Sequence, residues 1–110
     1  MTFTDNDLVG LRRISPEASL LKEADKQYVH LPVLKVPIKG VMADLEGLLC
    51  PGEHTGYLTR LFLSQKIPDR GQNWTDHTIL GKTWCTWSWN GVPASLPLTE
   101  ILIGHLRALR

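Results

Sequence analysis

The chain has 110 residues, 43% of them apolar, and twelve Lys and Arg against eleven Asp and Glu leave a net charge of +1. That length fits one domain covering residues 1–110, with enough apolar content for a core that needs no metal or disulfide framework. The balanced charge, without a basic run or stripe, argues against a nucleic-acid partner, and no apolar run approaches the roughly 20 residues that cross a bilayer.

The start, Met1-Thr-Phe-Thr-Asp-Asn-Asp7, lacks the basic and apolar regions of a signal peptide, so a cytoplasmic protein with no membrane partner is expected. In a reducing compartment Cys50 and Cys85 read as free thiols, ligands or catalytic groups rather than as a disulfide.

Thr4 and Asp7 fit a capping box and Phe3 can staple against Leu8, which predicts a helix to about Arg13. Ser15-Pro16-Glu17 repeats the start signal and predicts a short second helix with Leu20 and Leu21 on its apolar side. From Tyr28 to Pro37 branched residues predict a strand, which Pro32 and Pro37 confine to an edge or a bulged ribbon, and Gly40 turns it.

Two further strands are predicted at Leu45–Cys50 and Tyr57–Ser64, around the turn-like Pro51-Gly-Glu-His-Thr-Gly56. Residues 67–73 read as a surface loop leading into an irregular aromatic span, Asn73 to Asn90, which holds all four tryptophans. Leu98, Ile101, Leu102, Leu106 and Leu109 follow the spacing of one helical face, which places a C-terminal helix starting at Ser95 or Leu96 with Pro97 in its first turn. Arg107 and Arg110 suit the negative end of its dipole. Helix, three or four strands, aromatic span and helix together predict an α+β domain with helices on one antiparallel sheet.

The aromatic span carries the densest chemistry. As a nucleophile, Cys85 would attack an activated carbonyl as its thiolate, with His77 nearby and Asn90 or Asn73 as amide donors to the oxyanion. The competing reading makes Cys85 a small apolar residue that shares a face with Trp87 and Trp89 in an extended segment, with Trp84 and Ser88 on the other face. Ser88 is a further acyl acceptor by residue type. Cys50 and His54, four positions apart in a turn, suit a thiol activated by imidazole, and with His77 and Cys85 they supply the count of a tetrahedral zinc site, although the spacing of the last two matches no common ligand pattern. His30 and His105 read as hydrogen-bonded structural histidines. Glu46, Glu53 and Asp76 form no acid–base carboxylate pair, and no glycine-rich phosphate loop is present.

The run Leu48-Leu-Cys-Pro51 through Tyr57-Leu-Thr-Arg-Leu-Phe-Leu63, then Asn73-Trp74, His77, Gly81-Lys-Thr-Trp84 and Trp87-Ser-Trp-Asn-Gly-Val-Pro93 before a final helix, resembles small bacterial relatives of ubiquitin-conjugating enzymes over roughly residues 28–110. The resemblance implies an antiparallel sheet of about four strands flanked by N- and C-terminal helices, with the reactive residue in a flap after the fourth strand, where Cys85 falls. It also implies a partner activating enzyme, a ubiquitin-like protein and a target protein, no cofactor, and, in related families, a link to antiphage defence. The family's His-Pro-Asn triplet is altered here, since Thr78 and Ile79 follow His77.

The expected function is therefore acyl transfer by a conjugating-type enzyme: Cys85 forms a thioester, His77 orders the flap or assists proton transfer, and Asn90 stabilises the oxyanion. Cys50 with His54, and Ser88 as an oxyester acceptor, are the other catalytic candidates. Two different classes of protein stand against it: a non-catalytic adaptor docking on the activating enzyme or the ubiquitin-like partner through the tryptophan-rich segment, and a small zinc-stabilised module.

Overall fold

A computed structural model describes residues 3–54, 56–67, 74–87, 89 and 91–108. Its strands are β1 (Ser19–Glu23), β2 (Lys26–Ile38), β3 (Val41–Cys50), β4 (Arg60–Leu63), β5 (Trp74–Ile79) and β6 (Lys82–Trp87), followed by one α-helix, α1 (Leu98–Arg107). The strands form one antiparallel sheet in the order β1-β2-β3-β4-β6-β5. This overturns the expected conjugating-enzyme arrangement: among the described residues there are six strands instead of about four, and no N-terminal α-helix flanks the sheet.

The N-terminal region explains part of the difference. Asp7 Oδ2 accepts the Thr4 N–H at 2.7 Å, so the capping box forms. It opens only a 3-10 turn over Asp5–Leu8, followed by a second over Leu11–Arg13. At Gly10, between the two turns, a Cβ would lie 2.6 Å from Thr99 Oγ1, so glycine is what lets the segment press against α1. Leu8 and Leu11 are fully buried there. The expected second helix is instead β1, because Ser19 to Glu23 find backbone partners on β2 from His30 to Lys26, and tertiary pairing outweighs a short local helix signal.

Proline's constraint on β2 is met by a register break between Leu31 and Leu34, around Pro32. The strand is nonetheless central, paired with β1 at one end and with β3 along its length. Lys39-Gly40 and Leu80-Gly81 both have positive φ and close two-residue hairpin turns whose twist matches the flanking strands. The second turn makes the aromatic span a regular hairpin, β5–β6, with six paired positions from Trp74↔Trp87 to Ile79↔Lys82. The irregular span expected from the sequence is thus corrected.

Alternation along the strands divides the molecule into two cores. On the first face Val29, Leu31, Leu34, Leu45, Leu49, Leu61, Leu63 and Trp87 pack with Leu8 and Leu11 and with Leu98, Ile101 and Leu102 of α1. Each fully buried leucine stabilises the fold by about 2 kcal/mol relative to exposure. On the second face Tyr28, Leu48, Cys50 and Phe62 pack against Ile79 and Trp84 of the β5–β6 hairpin. One end of that hairpin is therefore anchored in the first core by Trp87, with Trp74 packed against it, and the turn end covers the opposite face of the sheet.

The expected C-terminal helix starts two or three residues later than Ser95 or Leu96, with Pro97 at its N-cap. Leu98, Ile101 and Leu102 are buried as its spacing requires; Leu109 and Arg110 lie outside the described residues. His105 is also buried on this helix. Thr59 Oγ1 donates to the Val92 carbonyl at 2.8 Å and has no second proton, so His105 Nε2–H donates to Thr59, also at 2.8 Å. Burial, followed by the charge of Arg60, lowers the imidazole pKa to about 4, so the ring is neutral near pH 7.

An unfolded histidine takes up its proton near pH 6.5, whereas folded His105 resists it until about 4. Stability should therefore fall as pH drops through that window, by at most roughly 3 kcal/mol from this residue. His105→Leu is expected to shrink the difference between urea denaturation at neutral and at acidic pH; an undiminished difference would show that His105 is not the residue resisting the proton.

Candidate functional site

The register of β5–β6 decides which reactive groups meet. Asp76 lies opposite Cys85 and His77 opposite Trp84, so Cys85 and His77 occupy opposite faces of the hairpin. Cys85 shares its side with Leu63, its partner on β4. His77 faces the second core, its ring 5.6 Å from that of His54 and 5.6 Å from that of Phe62, both edge-on. The two residues that the sequence places in one catalytic group thus lie on adjacent strands but face opposite sides of the sheet.

Cys85 is half-buried, and its thiol donates to Asp76 Oδ1 at 3.3 Å. Burial raises its pKa, and the hydrogen bond to Asp76 and that carboxylate's charge raise it further, against a smaller opposing effect of Lys66. At rest the group is a protonated thiol beside a carboxylate. Asp76 is the residue the sequence reading missed; its signal was the two-residue turn at Leu80-Gly81, which sets the count that brings it opposite Cys85.

Cys50 is buried in the second core, and burial is the main cause of its raised pKa. Its thiol donates to the Gly52 carbonyl at 3.5 Å. His54 is buried in the following turn, pairing its backbone with Tyr57 and its ring with Phe62 and His77. The imidazole pKa values of His54 and His77 are lowered, mainly by burial; Lys26, His77 and Arg60 add to this at His54, and Arg60 does so at His77. Thr75 Oγ1 lies 3.0 Å from His77 Nε2.

Arg60, nearly buried, places its guanidinium 4.0 Å from the centre of the Tyr57 ring and donates to the Trp87 carbonyl at 3.4 Å. Beside the imidazoles lies a pocket of about 520 Å³, lined by Glu23, Lys26, Tyr28, His54, His77 and Ile79 among others. Ser88, Asn90 and Asn73 lie outside the described residues.

The zinc arrangement does not assemble. Cys50, His54 and His77 are on the second-core side and Cys85 is on the other, and among the described residues no group of three or more His, Cys, Asp or Glu is placed to hold a metal. A docking surface of indoles is also reduced, because Trp84 and Trp87 are buried and Trp74 half-buried, leaving Trp89 at 42% exposure. Among the described residues no helix is long and apolar enough to cross a membrane.

No protein-family model, curated protein or solved structure matches the chain.

Replacing Asp76 with Asn removes the charge that holds the Cys85 proton. The Cys85 pKa should drop, and site-resolved alkylation with iodoacetamide at neutral pH should accelerate several-fold. An unchanged or slower rate would mean that Asp76 does not control the thiol.

Proposed function

We propose that the chain is an acyl carrier of a ubiquitin-like conjugation system, with Cys85 as acceptor and Asp76 as its working partner. The observation that carries this reading is the Cys85–Asp76 pair: the more accessible of the two thiols sits 3.3 Å from a carboxylate on an exposed stretch of β5. The sheet differs from that of conjugating enzymes, so the reading draws on this pair and on the residue pattern from Leu48 to Pro93 and not on shared architecture.

In the loading step, Cys85 Sγ attacks the thioester carbonyl carried by the activating enzyme. The new S–C bond replaces the donor's, and the Cys85 proton passes to the departing thiolate. In discharge, a target amine attacks the Cys85 thioester, Asp76 takes the proton of the amine as it bonds to carbon, and Cys85 leaves as thiolate. A raised thiol pKa keeps Cys85 protonated in the free protein, so loading depends on encounter with the activated donor. His77 and His54 play no chemical part in this scheme; they hold the hairpin on the sheet.

A second reading, the non-catalytic adaptor, is favoured by that same resting protonation and by exposed Trp89, which offers an apolar anchor for a partner. Incubation with an activating enzyme, its ubiquitin-like protein and ATP, followed by electrophoresis without reductant, separates the two. The carrier reading expects an adduct that thiols remove and that Cys85→Ala abolishes, and Asp76→Asn is expected to load but discharge at least about tenfold more slowly to an amine. Stable binding with no adduct would favour the adaptor. An adduct that survives thiols but yields to mild alkali would move the acceptor to a hydroxyl such as Ser88.

A further inference from the structure

The β5–β6 hairpin is held in two unlike ways. Near Cys85 it is built into the fold: Leu63 pairs with Cys85, Thr86 Oγ1 donates to the Leu61 carbonyl at 2.7 Å, and Trp87 fills the first core. Beyond Cys85 no described strand pair joins it to β4, and it crosses the second face of the sheet on side chains alone. Glu23 Oε2 accepts the Leu80 N–H at 2.6 Å, Glu46 pairs with both Lys82 and His30, Trp84 lies edge-on to His30, and His77 sits against His54 and Phe62.

We infer that the turn end of this hairpin, residues 76–84, is an acid-sensitive flap hinged at Cys85, released from the second face when His54 and His77 take up protons. The rings are 5.6 Å apart across the seam, so two protonated imidazoles would repel each other directly. The groups facing them favour the neutral pair. Lys26 of β2 and Arg60 of β4 bear on His54, opposed by Glu53; Arg60 bears on His77, opposed by Asp76.

His30, the third histidine on this face, lies between Glu46 of β3 and Lys82 of β6; burial, then the Lys82 charge, lowers its pKa, and its ring nitrogen pairs with the Glu46 carboxylate and not with His54 or His77. Histidine is the side chain whose ordinary pKa, about 6.5, places its change of charge in mildly acidic solution. The imidazoles have pKa values lowered in the closed state, so the open state binds more protons and gains population as pH falls. Release would uncover Phe62, Ile79 and Trp84 and draw Asp76 of β5 away from Cys85, which stays paired with β4. The inference stands on the seam itself and is independent of any acyl chemistry at Cys85.

Incorporation of 5-fluorotryptophan places one fluorine on each of the four indoles, and Trp84→Phe assigns the Trp84 signal. On titration from about pH 7.5 downward, the Trp84 resonance is expected to move to an exposed position with a midpoint below about 6.5, while the Trp87 resonance stays in place. The variant His54→Gln/His77→Gln should hold the Trp84 signal fixed over that range. Should the double variant not fold, the half-buried His77→Gln alone is expected to shift the midpoint down by at least half a pH unit. A Trp84 signal that moves only together with Trp87, or that moves identically with the histidines replaced, would overturn the flap.

Discussion

The structure depends on one short hairpin being anchored in one core and covering another. Trp87, with Trp74 packed against it, is held on the first face, where α1 and the N-terminal turns close the core; Ile79 and Trp84 are held on the second face against Tyr28, Leu48 and Phe62. Without the hairpin, the second face would expose those apolar side chains, and contiguous apolar surface of that kind is rare on stable monomers. The same constraint sorts the reactive groups: a period of two puts Asp76 and Cys85 on one side of the hairpin and His77 and Trp84 on the other. The separation of thiol from imidazole is thus a consequence of how the sheet is covered.

From this sorting two regions of different character emerge. One is a half-buried thiol with a carboxylate, protonated at rest and reachable from solvent. The other is a neutral imidazole pair beside a pocket, in a field made positive by Lys26 and Arg60. They adjoin where the hairpin leaves its pairing with β4, at Cys85. The proposed acyl carrier and the proposed acid-sensitive flap draw on the same few contacts.

Much of this was legible in the residues. The apolar spacing from Leu98 to Leu106 located α1 because a helix buried on one side must repeat near every 3.6 residues. The ribbon from Tyr28 to Pro37 and its bulge followed from branched residues and proline. The pairing of Cys85 with Trp87 on one face, and Trp84 on the other, was readable from strand alternation once an extended segment was assumed. What local signals could not supply was competition. The Thr4–Asp7 capping box is real, yet Gly10 and the approach of Thr99 stop the helix at a turn. Ser15-Pro16 looks like a helix start, yet the free edge of β2 offers Ser19 to Glu23 a full set of backbone partners. The hairpin was obscured by its turn: Leu80, at φ 55, is a bulky residue where Asn or Asp is usual, so the two-residue signal did not register. With the hairpin unrecognised, six strands read as about four, and Asp76 could not be placed opposite Cys85.

His77 faces the second core while Cys85 faces away from it, and nuclear Overhauser contacts in the labelled protein test that arrangement most directly. It predicts cross-peaks from the His77 ring protons to the ring protons of Phe62 and His54, and none to the Cys85 β-protons. Strong His77–Cys85 contacts without any to Phe62 would contradict it, restoring thiol and imidazole to one site and removing both the carboxylate-paired thiol and the flap.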